Sequence, residues 1–251
     1  MKKILIFFIF TFFASTVPLF AQSAEELYRK AGLNYENEDY KNAISLYEML
    51  LKMDRVSPEV YYNLGNSYFK IKKTGKAIVN YKRALRLDPG GRDIQHNLKL
   101  ARASAVDKIE QPEKGFLIKV ILLPYDRMNI NQLTVIVSSV YLSIIAFLIF
   151  SIFFITKRRV LFYAAGASAA ALITFLIFLV LKIHTENYTR YAVVTSEKID
   201  VRSGPKEDYL LQFTLHEGAE IRVVKEGQGW YEIDLSKDLR GWLPSDTVEI
   251  I

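Results

Sequence analysis

Two apolar stretches, Leu133 to Ile155 and Val160 to Leu181, carry no charged residue and are separated only by Thr156, Lys157, Arg158 and Arg159. At about 1.5 Å per helical residue, each is long enough to cross the roughly 30 Å hydrocarbon core of a bilayer. A soluble core seldom needs two such runs back to back, so the pattern predicts a membrane hairpin with spans over 132–155 and 160–181. The turn is too short to hold a domain, so both flanks must lie on one side. Three cations in the turn assign it to the cytoplasm by the positive-inside bias, and the flanks then face outward. Neither span holds an ionisable residue of the kind that marks proton relays or ion pathways, so the hairpin reads as an anchor rather than a channel. The small residues Ala164 to Ala171 are expected to receive Phe147, Phe150, Phe153 and Phe154 of the first helix. Docking of a partner helix on Gly166 with Ala170, or Ala167 with Ala171, stays open as the alternative.

Met1, Lys2 and Lys3 followed by the apolar run Ile4 to Phe13 read as the basic and hydrophobic regions of a signal peptide over 1–21, cut after Ala21. Leu19 is large for the third position before such a cut, which leaves retention as an uncleaved anchor open. Lys2 and Lys3 stay inside in either case, in agreement with an outward placement of the chain from Gln22 to the hairpin.

From Ala24 to Pro89 the chain repeats with a period of 34: Ala43 and Ala77, Ile44 and Ile78, Tyr47 and Tyr81, Leu51 and Leu85, Asp54 and Asp88. That period belongs to stacked helix-turn-helix units, with small residues where helices cross and aromatics between neighbours. Tyr61, Leu64, Gly65, Tyr68, Ala77, Tyr81, Ala84 and Pro89 give the second unit the signature of the tetratricopeptide repeat, which it resembles. The first unit is more degenerate, with Leu27, Lys30, Ala31 and Asn34 at the first four of those positions. A helix from Asp93 to about Ala105 starts a third unit and caps the stack, so the repeat domain is placed at 24–105. First helices of such units line a concave face, and Tyr28, Tyr35, Tyr62, Asn63, Asn66, Phe69, Lys70 and Asn97 hold the positions that point there. Asn amides pair with a ligand backbone whatever its sequence, and Lys70 favours an acidic segment. The competing reading is that several of these aromatics fill the stack.

Residues 106–131 read as a linker and interfacial segment. Pro112 and Gly115 break helix, and Phe116 to Leu123 is apolar except for Lys119 but too short to span. Packing under the repeat array is the other reading of this stretch. Over 191–251 the pattern becomes short alternating strands, expected at Ala192 to Thr195, Ala219 to Lys225, Trp230 to Leu235 and Gly241 to Pro244. IDVRSGP (Ile199 to Pro205), LHEG (Leu215 to Gly218), GWY (Gly229 to Tyr231) and GWL (Gly241 to Leu243) resemble the bacterial SH3-type domain in order and spacing. Asp200 stands where Asn is more usual. Trp230, Tyr231 and Trp242 are core or rim residues, or an exposed aromatic groove for an extended peptide or glycan stem. The fold class is therefore a multidomain membrane protein: an all-α tetratricopeptide solenoid, a transmembrane helical hairpin and a small C-terminal all-β SH3-like barrel.

Composition narrows the function. The chain has no cysteine, which excludes disulfides, thiolate catalysis and lipid attachment through a signal-peptide cysteine. His96, His184 and His216 fall in separate segments without metal-ligand spacing, and no nucleophile, carboxylate pair or phosphate loop stands out, so neither an enzyme nor a cofactor is expected. The sequence pI is near 9.2, yet the charge divides: residues 22–105 have 15 Lys/Arg against 10 Asp/Glu, and residues 191–251 have 7 against 12. An outward location and an acidic C-terminal part argue against nucleic acid as a partner. The opposite signs also allow the C-terminal domain to fold back on the basic array.

Signal peptide, repeats, paired membrane helices and SH3-type domain, in this order, resemble the BatE proteins of the bacterial aerotolerance operon. The resemblance implies an inner-membrane (cytoplasmic-membrane) two-pass protein with both soluble domains facing the periplasm or cell exterior. It further implies other envelope proteins as partners, namely von Willebrand factor A-type Bat proteins and a MoxR-type ATPase system, in oxidative-stress tolerance or envelope assembly. The residues themselves support a two-armed outward scaffold. The alternative is a cell-wall tether whose SH3-type domain binds peptidoglycan. Protease added to intact spheroplasts is expected to clip both the repeat domain and the C-terminal domain; survival of either, with an outward-facing control digested, overturns this topology.

Overall fold

The computed structural model describes residues 23–108, 115–236 and 239–251, so the expected leader over 1–21 and residues 109–114 of the linker lie outside the described residues. The described chain forms two units: 23–85, 92–108 and 192–251 in one, and 86–91 and 115–191 in the other.

The first unit opens with helices α1 (23–36), α2 (Tyr40–Lys52), α3 (Pro58–Lys70), α4 (Thr74–Leu87) and α5 (Arg92–Ser104). Local chemistry sets their ends. Asp39 accepts a hydrogen bond from the Asn42 backbone N–H to start α2, and Ser57 accepts one from Val60, with Pro58 opening α3. The exits share one device. Glu38, Asp54 and Lys72 all have left-handed backbone, with φ of 63°, 58° and 60°. Around Lys72, the Lys73 N–H donates to Tyr68 O and the Lys72 N–H to Phe69 O. Asp39, Glu38 and their acceptors Asn34 and Tyr35 repeat the arrangement 34 residues earlier. This is a Schellman cap, made here with residues that have a Cβ.

Helices meet at Ala31, Ala43, Ala77, Ala84 and Ala101, each fully buried, while Tyr47 and Tyr81 fill the spaces between them. A Cβ on Gly65 would lie 2.8 Å from the Tyr81 ring, so the small residue at this signature position is fixed by that ring.

The same unit ends in seven strands: β1 (Arg190–Val194), β2 (Lys198–Arg202), β3 (Leu211–His216), β4 (Glu220–Gly227), β5 (Trp230–Ser236), β6 (Leu239–Pro244) and β7 (Val248–Ile250). The sheet order is β3-β2-β6-β5-β4-β1-β7. Sequence alternation located β1, β4, β5 and β6; β2 and β3 hide inside the IDVRSGP motif and a half-exposed stretch, and β7 is only three residues long. Ile199 pairs with Leu215 and Val201 with Phe213, closing one side of a core made by Val201, Leu215, Ile221, Ile233 and Leu243. A Cβ on Gly241 would stand 2.5 Å from Val201 Cγ1, so β6 approaches β2 only through glycine.

The second unit holds short helices α6 (Phe116–Ile121) and α7 (Leu123–Arg127), then α8 (Ile130–Phe153) and α9 (Arg158–Tyr188), both long and apolar enough to cross a membrane. Asn129 and Gln132 form a capping box at the start of α8. Two expectations need correction. The turn is Phe154 plus a 3-10 turn, Ile155–Lys157, so Arg158 and Arg159 already belong to α9, which continues past Leu181 to Tyr188. Of the four phenylalanines expected on the small residues, Phe150, Phe153 and Phe154 are exposed and Phe147 is half-buried. Near the turn the buried positions are Ser151 and Ala165, both small, as helices packed against each other in lipid favour. Ser151 satisfies its hydroxyl on Leu148 O at 2.6 Å.

Lys72→Gly removes a Cβ from left-handed backbone at some gain in unfolded-chain entropy, so the net expectation is stabilisation by about 0.5–1 kcal/mol. Denaturant titration of the helical signal measures it, and a loss of stability would show that the Lys72 side chain outweighs the strain.

Candidate functional site

The first-helix residues form a hydrogen-bonded ladder. Asn63 Nδ2 donates to the Tyr28 hydroxyl at 2.9 Å, and Asn97 Nδ2 to the Tyr62 hydroxyl at 3.0 Å, so one repeat period separates two copies of the same pair. Asn66 Oδ1 accepts from both Asn97 Nδ2 (2.8 Å) and the Tyr81 hydroxyl (2.7 Å). Tyr28 lies edge-on to Tyr47, Tyr35 to Tyr40, and Tyr35, Tyr62 and Phe69 pack against the repeat core. The aromatics and amides thus hold neighbouring units in register, while Lys70 is exposed at the end of α3. Burial pushes the Tyr47 phenol up to about 12 and also raises Tyr28, Tyr35 and Tyr81, so these four hydroxyls are neutral at ordinary pH.

Sequence reasoning gave no residues for the joint between the repeat helices and the sheet. Strand β1 is the centre of it. Ala192 and Val194 belong to the core of the sheet, whereas Val193 belongs to the core of the helices, and all three are 0% exposed. A Cβ on Gly75, in the first turn of α4, would lie 2.3 Å from Val194 O, so that glycine lets the strand backbone lie against the helix. The LHEG turn completes the fit. The Gly75 N–H donates to Glu217 Oε1 at 3.0 Å, placing a carboxylate where the helix dipole favours one. Gly218 has left-handed backbone at φ +94°, and a Cβ there would lie 3.0 Å from Ala105 Cβ and 3.3 Å from Ile78 Cδ1. The His216 N–H donates to Asp107 Oδ2 at 2.6 Å, with His216 Nδ1 3.1 Å from Asp107 Oδ1.

Charge follows the division seen in the sequence. Glu220 accepts from Lys82 Nζ at 2.6 Å and from Arg102 Nε and Nη2 at 2.5 and 3.0 Å, and Arg83 donates to Glu249 Oε1 and Ile250 O, both at 2.6 Å. Burial by itself raises the Glu220 carboxyl, but the Arg102 hydrogen bond and the charges of Lys82 and Arg102 outweigh it and hold the group below its usual value. The signal available in the sequence was the unbroken apolar run Ala192-Val193-Val194, which marks a strand covered on both faces.

The sheet carries a pocket of about 330 Å³ lined by Lys198, Ile199, Asp200, Arg202, Glu207, Trp230 and Pro244. Trp230 stands opposite Pro244 on β6. Of the three aromatics singled out from the sequence, Trp230 alone lines this pocket. Tyr231, the next residue along β5, faces the sheet core, and Trp242 is half-buried outside the pocket. Asp200 also accepts from Thr214 Oγ1 at 3.0 Å, which holds its carboxylate in place.

Among the described residues no group of three His, Cys, Asp or Glu is placed to hold a metal ion. His96 is exposed on α5, His184 lies against the Tyr188 ring, and His216 serves the joint.

Comparison with protein families agrees with these two modules: the tetratricopeptide repeat matches residues 58–90, and the bacterial SH3 domain matches residues 197–249. No curated protein matches the chain. Both matched families are interaction modules, and this chain joins them to two apolar helices suited to membrane anchoring.

A carboxyl whose folded value is lowered adds stability above its unfolded value, and that stability is lost as pH falls through the folded value. The joint is therefore expected to loosen below the ordinary carboxylate range. Glu220→Gln should cost about 1–3 kcal/mol near neutrality and flatten the acid limb of a thermal-melting profile. An unchanged acid limb would show that Glu220 does not hold the two modules together.

Proposed function

We propose that the protein is a non-catalytic, membrane-anchored scaffold facing outward from the cytoplasmic membrane, which captures another envelope protein on the first-helix face of its repeats. The observation that carries this reading is the joint. Among the described residues it draws its hydrogen bonds and ion pairs from Gly75, Lys82, Arg83, Arg102 and Asp107, and none from Tyr28, Tyr35, Tyr62, Asn63, Asn66, Phe69, Lys70 or Asn97. This supports reading that face as the one open to a partner. The chain between 108 and 192 leaves one folded body and returns to it, which supports an even number of crossings, in keeping with the cations of the turn. The finer assignment, a BatE-like role in aerotolerance or oxidative-stress resistance beside von Willebrand factor A-type Bat proteins and a MoxR-type ATPase, rests on the likeness in architecture alone.

The pocket on the sheet favours a second reading, a cell-wall tether. Lys198 and Arg202 face Asp200 and Glu207 around Trp230, a lining suited to a peptide with both free amine and carboxylate, as peptidoglycan stems have.

One set of variants separates the two. Asn63 holds Tyr28, so its loss also weakens the stack, and Lys70→Glu is the cleaner probe of the repeat face. Lys70→Glu is expected to reduce recovery of co-purifying envelope proteins from gently solubilised membranes with helix content unchanged, whereas unaltered capture counts against the site. Sedimentation of the full chain with purified wall, abolished by Trp230→Ala, would instead establish the tether.

A further inference from the structure

Helices α6 and α7 have no buried residue, and α6 is apolar at every position but Lys119. Phe116, Leu117, Ile118, Val120 and Ile121 are all exposed, Phe116 by 78% and Leu117 by 73%. At about 100° per residue these five side chains sweep roughly 200° of the helix circumference, with Leu117 at the middle of the arc and Lys119 nearly opposite. A helix resting on a protein core needs a narrower stripe, and one in water would not carry this arc. Six residues rise only about 9 Å, too little to cross a bilayer.

The neighbouring contacts set its level. Tyr125 of α7 lies edge-on to Phe178 of α9, with centroids 6.2 Å apart. Lys182 Nζ donates to Tyr125 O at 3.1 Å and sits 5.0 Å over the Tyr125 ring, and the Tyr125 hydroxyl is 3.2 Å from Thr185 Oγ1. Phe178 lies within the second apolar run and Lys182 is the first cation after it, so these contacts hold α7 at the hydrocarbon boundary. Tyr125 is only four residues beyond Ile121, which keeps the end of α6 within about 14 Å of that level.

We infer that α6 lies in the plane of the bilayer interface, its apolar arc inserted among the lipids with Leu117 deepest and Lys119 toward the headgroups, as a foot continuous with the lipid-facing surface of the hairpin. The occupant of this apolar surface is lipid. Aromatic and cationic residues around Tyr125 and Lys182 suit the headgroup layer, where amphipathic side chains keep one end wet. The inference rests on the hairpin being in a membrane, and the control labels separate the two.

The chain has no cysteine, so one introduced residue carries the only label. The full chain is reconstituted into vesicles of phosphatidylethanolamine and phosphatidylglycerol with an environment-sensitive fluorophore at Leu117→Cys, at Leu148→Cys in α8, or at the exposed Glu207→Cys. The label at 117 is expected to be quenched by lipids brominated near the headgroup and to be several-fold less accessible to aqueous iodide than the label at 207. Iodide access equal to that at 207, with the label at 148 quenched by lipid, overturns the foot alone. Shielding from both quenchers means that a second copy covers α6, which also overturns it. Failure of lipid quenching at 148 removes the membrane reading and the foot with it.

Discussion

Strand β1 belongs to two cores at once, and the arrangement of the first unit depends on that. A strand at the surface of a small sheet ordinarily alternates buried and solvent-facing residues, but here Val193 enters the helical core while Ala192 and Val194 close the sheet. Fully burying an aliphatic side chain of this size is worth about 1.5–3 kcal/mol, and the contact forms only if residues distant in sequence fold together. Around it, Glu217 at the start of α4 and Glu220 between Lys82 and Arg102 add directional contacts that fix how the sheet sits on the helices. The apolar strand supplies the attraction and the carboxylates supply the register.

A two-unit repeat array is short, and its ends are exposed for want of neighbours. The sheet relieves this along α4 and at the end of α5, where Ala105 meets Gly218 and Asp107 meets His216. The stretch from 115 to 191 is then, in chain order, an insertion within one folded body.

Much of this was legible in the sequence, and the remainder was lost for identifiable reasons. The 34-residue period located the helices because each repeat position meets the same neighbours, as the matched caps at Glu38 and Lys72 and the matched pairs Tyr28–Asn63 and Tyr62–Asn97 show. The apolar runs located α8 and α9, but not their ends, since helix continues through Lys182 to Tyr188 once apolar composition has stopped. Opposite charges allowed the C-terminal domain to meet the repeat array, but the residues of the joint could not be named because they obey no period. Gly75 reads as an ordinary glycine and Glu217 as one acid among many until the fold brings the two together across 142 residues of chain. Trp230 and Tyr231 could not be told apart for a simpler reason: alternation puts them on opposite faces, and only the sheet shows which face is the core.

The charges carry a related lesson about partners. Taken separately, a basic repeat array and an acidic C-terminal domain suggest a polyanion ligand for one and a cationic ligand for the other. In the folded chain Lys82, Arg83 and Arg102 face Glu220 and Glu249, so much of each excess is matched internally. Screening by salt acts weakly on Glu220, whose side chain is only 14% exposed, and strongly on a cation such as Lys70 that projects into solvent. What an approaching partner meets is the unmatched remainder. On the first-helix face Lys70 is exposed, while the amides of Asn63, Asn66 and Asn97 and the hydroxyls of Tyr28, Tyr62 and Tyr81 are engaged with one another.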